Sequence, residues 1–153
     1  GHIINISSMG VVGPPARFSA YIASKSALEG WSRCAEAEFC DRNIHFTNIN
    51  MPLVRTPMIG PTKVYDVAPT LSPEQAADMV VDAVINKPSR IVTGMGRMFQ
   101  IMHLVAPKLA ATSMNIPFRM FENSTATKGI KQANAEPSSE QVAIAALLKG
   151  VHY

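Results

Sequence analysis

Short apolar runs alternate with segments that favour helices. The predicted order is strand 2–6, helix 20–41, strand 44–49, helix 72–86 and strand 90–93. Strand–helix–strand alternation is typical of parallel strands joined by crossover helices. In such sheets ligands bind beyond the carboxyl ends of the strands. The sequence therefore predicts an α/β fold with Ser8 and residues 52–56 on one rim.

The second helix carries the clearest start signal. Ser72 can cap it, Pro73 suits the first helical position, and Gln75 completes a capping box. We expect this helix to end near Asn86. Ser19 is the predicted cap of the first helix.

Composition narrows the classes of function. The chain has 153 residues, 47% of them hydrophobic and 16% charged, which predicts a globular domain with a core. A net charge of +3 is far below that of a nucleic-acid-binding surface. Cys34 and Cys40 have no CxxC spacing, which predicts free thiols and a cytoplasmic location. The four histidines share no ligand spacing, so no metal site is expected.

Ser8, Tyr21 and Lys25 have a spacing that suggests chemistry. Tyr21 and Lys25 are four residues apart, so they share one helix face. A cation beside a phenol stabilises the phenolate, and this lets tyrosine act as an acid or base near neutral pH. The alternative is an ordinary pair on a helix surface.

Three segments together resemble a known family. They are Asn-Ile-Ser-Ser at 5–8, Tyr-Ile-Ala-Ser-Lys at 21–25 and Pro-Leu-Val-Arg-Thr-Pro at 52–57. This set is similar to the second half of a short-chain dehydrogenase/reductase. The segments at 51–59 and 71–80 and the tail Gly-Val-His-Tyr resemble the reductase domain of bacterial fatty acyl-CoA reductases.

The resemblance implies a role for each site residue. Tyr21 would protonate the carbonyl oxygen, Lys25 would stabilise the phenolate and bind the nicotinamide ribose, and Ser8 would donate a hydrogen bond to the substrate oxygen. Ser7 is the rival of Ser8. In the loop that begins at Pro52, the Val54 backbone and the Thr56 hydroxyl would bind the nicotinamide, with an ordinary strand-to-loop exit as the alternative.

One part of the family's pattern is absent. The family begins with a strand, a glycine-rich GxxxGxG turn and a helix that hold the cofactor's adenosine and pyrophosphate. No such turn occurs here, and Gly94-Met95-Gly96 lies at the wrong end of the fold. We therefore expect a partial Rossmann-type, doubly wound sheet without its N-terminal half, and a chain that is inactive alone.

Three regions are predicted. Residues 1–96 form the C-terminal half of the Rossmann domain, 97–121 an apolar helical extension, and 122–153 a linker and short helix. Pro107 and Pro117 are expected to break the extension into helical pieces. Its apolar side chains suit either core packing or a dimer face, or else a wall for an apolar substrate or a membrane surface.

The expected function is that of an oxidoreductase fragment. The complete enzyme would reduce a fatty acyl-CoA or an aldehyde with NADPH, which we expect in preference to NADH. A thioester would give a hemithioacetal that collapses to an aldehyde and free CoA. The alternatives are a reductase of another ketone or alcohol, and a non-catalytic remnant or assembly module. We expect a homo-oligomer through the helix at 21–41, no nucleic acid, and peripheral membrane contact as an open interpretation.

Overall fold

The computed structural model describes residues 1–16, 18–57, 59 and 69–120, with the backbone alone at 116–120. Its strands are β1 (His2–Ile6), β2 (His45–Ile49) and β3 (Arg90–Ile91). Its helices are α1 (Ser19–Phe39), α2 (Pro73–Asn86), α3 (Gly94–Val105) and α4 (Pro107–Met120), with short 3₁₀ turns at Met9–Val11 and Cys40–Arg42. The linker and short helix predicted within 122–153 lie outside the described residues, as does most of the loop between 57 and 69.

The sheet confirms the predicted α/β class. All of its pairings are parallel, and the strand order is β1-β2-β3. The register runs from His2 opposite His45 to Ile6 opposite Ile49. The carboxyl ends of β1 and β2 therefore lie side by side, and the segments that begin at Ser7 and Asn50 leave the sheet together.

Helix α1 covers one face of the sheet. The Trp31 ring meets Phe46 of β2 edge to face at 6.0 Å, and the Asn48 amide donates to the Ser32 hydroxyl at 3.1 Å. Side chains alternate along a strand, so Thr47 and Ile49 point to the opposite face. Helix α2 also packs against β1 and β2. The Thr47 hydroxyl donates to the Pro88 carbonyl just beyond the end of α2, at 2.5 Å.

The starts of α1 and α2 show where a local sequence signal is enough to predict how a helix begins. The capping box of α2 forms as predicted: Ser72 accepts from the Gln75 N–H and Gln75 from the Ser72 N–H. The predicted Ser19 cap of α1 is wrong. Ser19 is already helical, because the Phe18 carbonyl accepts the Ile22 N–H at 2.8 Å and no side chain caps the helix.

The C-terminal helices also depart from expectation. β3 ends at Ile91, two residues earlier than predicted, because Thr93 caps α3 by accepting from the Gly96 N–H. Gly94-Met95-Gly96 is thus the first turn of that helix. Pro107 opens α4, but α4 continues past Pro117 to Met120, so the predicted break at Pro117 is wrong. A proline within a helix costs one backbone hydrogen bond and can leave only a kink.

Candidate active site

Ser8 lies on the rim beyond β1. It caps the Met9–Val11 turn, where its hydroxyl accepts from the Gly10 N–H at 3.1 Å. The Asn50 amide donates to the Ser8 carbonyl at 3.2 Å, which ties this turn to the end of β2. The Ser8 side chain is half-buried, and its own O–H donates to no described residue. Ser8 therefore presents an available hydroxyl at the strand end.

Ser7 differs from Ser8 in its surroundings. It is buried, and its hydroxyl donates to the Glu29 carboxylate at 2.5 Å. This hydroxyl proton is already engaged within the core. The structure thus places the two serines on different sides of the backbone, Ser7 toward α1 and Ser8 toward the rim.

Tyr21 and Lys25 lie one turn apart on α1. The Lys25 ammonium is 6.0 Å from the centre of the Tyr21 ring and donates to the Ile6 carbonyl at 2.9 Å. Ile6 is the last residue of β1, two before Ser8. The Tyr21 side chain is 47% exposed. The ammonium is therefore fixed at the strand end, and the phenol faces outward beside it.

Close packing holds this part of α1 against the Ser8 turn. A Cβ on Gly10 would lie 2.4 Å from Cδ1 of Ile22 and 3.4 Å from the Ser8 hydroxyl. Ile22 directly follows Tyr21, so the glycine at position 10 lets this part of α1 lie close to the Ser8 turn. The structure thus brings Ser8, Tyr21 and Lys25 to one end of β1.

The loop after β2 is held by a parallel bridge between Val54 and Leu71. Its two hydrogen bonds, each 2.8 Å, run from Leu71 N–H to Leu53 C=O and from Arg55 N–H to Leu71 C=O. The N–H and C=O of Val54 point away from this bridge, and neither bonds to another described residue. Pro52 is buried and Thr56 half-buried. Among the described residues, the loop therefore leaves the N–H and C=O of Val54 without a partner.

Glu29 is a functional candidate that sequence reasoning missed. It lies on α1 one turn beyond Lys25, and it is only 2% exposed. Its carboxylate accepts from Ser7 and from the Asn50 amide, each at 2.5 Å, and pairs with Arg90 of β3. One buried carboxylate thus joins α1 to the ends of all three strands. Its position on the same helix face as Tyr21 and Lys25 was the available signal.

Helix α3 packs over the Ser8 turn. A Cβ on Gly96 would lie 2.4 Å from Val92 and 2.7 Å from the Met9 sulfur, and the Phe99 ring lies against Gly13. The Thr93 hydroxyl also contacts the Met9 sulfur at 3.5 Å. The turn that carries Ser8 is thus enclosed by α1 on one side and α3 on the other.

Two further findings concern the part of the chain that the structure describes. It contains no group of three His, Cys, Asp or Glu side chains that could hold a metal ion. None of its helices combines the length and apolar character needed to cross a bilayer.

Known proteins resemble the chain in sequence and in fold. A family model for short chain dehydrogenases matches residues 1–64. A fatty acyl-CoA reductase of Acinetobacter baylyi is 48% identical over 153 residues, which are all of this chain and 51% of that protein. A fatty acyl-CoA reductase of Mycobacterium tuberculosis is 39% identical over 109 residues, 71% of this chain and 37% of that protein.

A solved structure extends the match to the fold. A short-chain dehydrogenase from Streptomyces avermitilis aligns over 78% of this chain and 52% of its own, with a TM-score of 0.57 and 26% identity. The chain spans about half the length of these relatives. Residues 1–64 match the short-chain dehydrogenase family model, and the chain as a whole resembles fatty acyl-CoA reductases.

Proposed function

We propose that this chain carries the acid–base and nicotinamide-binding half of a reductase that converts a fatty acyl-CoA or an aldehyde with NADPH. The observation that carries the proposal is the hydrogen bond from Lys25 to the Ile6 carbonyl. It fixes a cation at the end of β1, with the Tyr21 phenol one helical turn away and the Ser8 hydroxyl two residues along the chain.

Each of the three side chains has a defined task in this proposal. The Ser8 O–H donates to the substrate carbonyl oxygen and polarises it, as an oxyanion-hole group does. Tyr21 gives its phenolic proton to the same oxygen as negative charge develops there. Lys25 stabilises the resulting phenolate, since the ammonium lies beside the ring. NADPH supplies the hydride when bound.

The residues present suit the nicotinamide end of such a cofactor. An amide has one carbonyl acceptor and one NH₂ donor group. The N–H and C=O of Val54, which bond to no other described residue, match both, and the Thr56 hydroxyl and the buried ring of Pro52 complete the loop. Among the described residues the Lys25 ammonium donates to the Ile6 carbonyl alone, and its other two N–H groups would donate to ribose hydroxyls.

The adenosine end has no counterpart in these 153 residues, because the chain lacks a GxxxGxG turn. The outer edge of β1 also pairs with no strand in the described part, and Ile3 and Ile6 are exposed on it. We propose that another strand pairs along this edge. The isolated chain should then oxidise no NADPH, and joining it to the amino-terminal half of the Acinetobacter relative should restore activity.

The substrate class is inferred from the acyl-CoA reductase relatives. Hydride addition to a thioester carbonyl leaves an oxyanion, which Tyr21 protonates to a hemithioacetal. This species collapses to an aldehyde and releases the thiol. A panel of a long-chain acyl-CoA, an aldehyde and a ketone of similar length separates this activity from that of a general ketone reductase.

A Tyr21→Phe variant of the chain joined to the amino-terminal half of the Acinetobacter relative tests the mechanism. Phenylalanine keeps the ring but removes the transferable proton, so we expect a loss of about 10²–10⁴-fold in the rate of NADPH oxidation. Ser26→Ala is the control, because Ser26 is exposed on the same helix and makes no hydrogen bond to the described residues. If Tyr21→Phe keeps the activity of this control, the proposed mechanism is wrong.

Helix α1 also carries the proposed contact between two copies. Its exposed side includes the small residues Ala23, Ser24 and Ala27 and the 52% exposed Trp31. Small side chains let two helices approach closely. Trp31→Glu would then shift the protein from dimer to monomer in light scattering, whereas an unchanged mass would exclude this interface.

A further inference from the structure

The outward face of α3 has an unusual composition. Its exposed side chains include four large apolar ones: Met98, Ile101, Leu104 and Val105. Leu104 is 84% exposed and Val105 75%. The outward side of a helix on a globular protein is ordinarily polar. Leu109, at the start of α4, is exposed as well.

The inward face of α3 is already occupied. Gly96 packs on Val92 and Met9, and Phe99 lies against Gly13. Helix α4 packs against α3 as well, with Ala110 fully buried. The helix is therefore seated on the protein by its opposite side, and the exposed apolar face does no packing within the described residues.

The charged residues of α3 and α4 all have one sign. The sequence contains no Asp or Glu between Asp82 and Glu122. Arg97 and Lys108 are both exposed beside the apolar residues, and neither forms an ion pair in the part of the chain described. An apolar face flanked by cations is the pattern of helices that lie on anionic lipid surfaces.

We propose that the lipid-facing surface, formed by Met98, Ile101, Leu104, Val105, Leu109, Arg97 and Lys108, rests on a bilayer that contains anionic lipids. Helix α3 has 12 residues, about 18 Å in length, so it lies in the interface and does not span it. The apolar side chains would enter the acyl boundary, while the two cations meet the headgroups.

A second copy of the chain fits this surface less well. A two-fold interface brings the same patch of both copies together. It would place the Arg97 and Lys108 side chains of one copy near those of the other, with no acidic side chain on the helices α3 and α4 to neutralise them. An anionic surface has no such repulsion.

Vesicle flotation of the protein tests the proposal. Vesicles of phosphatidylcholine alone are compared with vesicles that hold about one-third phosphatidylglycerol, without substrate or nucleotide. We expect binding to the anionic vesicles only, weakening as salt is added. Because no turnover is measured, the result is independent of the proposed reductase activity.

Two variants and one control identify the surface. Leu104→Ser with Val105→Ser should weaken vesicle binding by about tenfold or more, since both side chains leave the lipid. Arg97→Gln with Lys108→Gln should weaken it by about fivefold for each cation at low salt. The control is Ile85→Ser, which removes a side chain that is 69% exposed on α2, three residues after Asp82. It should bind as the unaltered chain does.

Three results would overturn the proposal. The first is that the unaltered chain ignores anionic vesicles. The second is that both double variants bind them as well as the control does. The third is that the variants change only the oligomeric state in light scattering, which would make the surface a contact between copies. All the substituted side chains are exposed. If Leu104→Ser with Val105→Ser fails to fold, vesicle binding by Arg97→Gln with Lys108→Gln tests the proposal.

Discussion

Removal of the Glu29 carboxylate should be among the most damaging single changes in this chain. Glu29 is 2% exposed and has three partners, the Ser7 hydroxyl, the Asn50 amide and the Arg90 guanidinium. In Glu29→Ala the Ser7 hydroxyl loses its acceptor, the Asn50 amide loses one of its two acceptors, and the Arg90 guanidinium loses its counter-charge. The damage reaches the site because Ser7 precedes Ser8 and the Asn50 amide also holds the Ser8 carbonyl.

The size of the effect follows from the burial of each partner. Loss of one member of a buried ion pair costs about 3–5 kcal/mol. The Arg90 side chain is 30% exposed, so water relieves part of this cost, and we expect a loss of about 2–4 kcal/mol in the free energy of unfolding. Glu29→Gln retains one acceptor oxygen and should lose less.

Urea unfolding of the protein, followed by circular dichroism, measures this loss in the free energy of unfolding. The control is Glu38→Ala, an exposed glutamate on the same helix, which should change stability by less than about 0.5 kcal/mol. A double-mutant cycle of Glu29→Ala and Arg90→Ala should give a coupling energy of about 1–3 kcal/mol between the two side chains. If Glu29→Ala costs no more than Glu38→Ala, the buried carboxylate does not hold the strand ends together.

Other predictions concern packing and pH. Gly96→Ala should destabilise the chain by about 1–3 kcal/mol in urea unfolding, because a methyl group there would overlap Val92 and Met9. Gly30→Ala, in the middle of α1 with open space around it, should instead stabilise by about 0.5–1 kcal/mol, and equal effects of the two changes would contradict this account. Burial, with Lys87 and His45 nearby, lowers the pKa of His2 below its usual 6.5. Below about pH 6.5 the unfolded chain therefore binds more protons at His2 than the folded chain does, so His2 should lower stability as pH falls through this range. In His2→Gln the urea midpoint of unfolding should change less with pH there.

Local features of the fold were predictable from the sequence. Strand β1 was expected at residues 2–6 and is found there, because a compact apolar run is a local signal. The capping box of α2 joins residues three positions apart, so the sequence contains the whole interaction. The parallel sheet followed from the order of the elements alone.

Features that depend on distant partners were not predictable. Glu29 looks like a surface charge until β1, β2 and β3 bring Ser7, Asn50 and Arg90 to it. Val84 is an apolar residue of α2 and yet is 54% exposed, because helical spacing alone does not show which apolar residues the sheet covers. For the site, the spacing of Tyr21 and Lys25 predicted their shared face. The anchoring of Lys25 to the Ile6 carbonyl required the strand itself.

The open edge of β1 also bears on how the isolated chain behaves in solution. Its backbone N–H and C=O groups on that side have no strand partner among the described residues, and Ile3 and Ile6 flank them. Such an edge is a template for intermolecular pairing. When the 153 residues are produced alone, the amount that stays soluble should therefore depend on β1. Lysine at the exposed Ile3 should raise that soluble amount, because a charge on an edge strand opposes sheet-to-sheet aggregation.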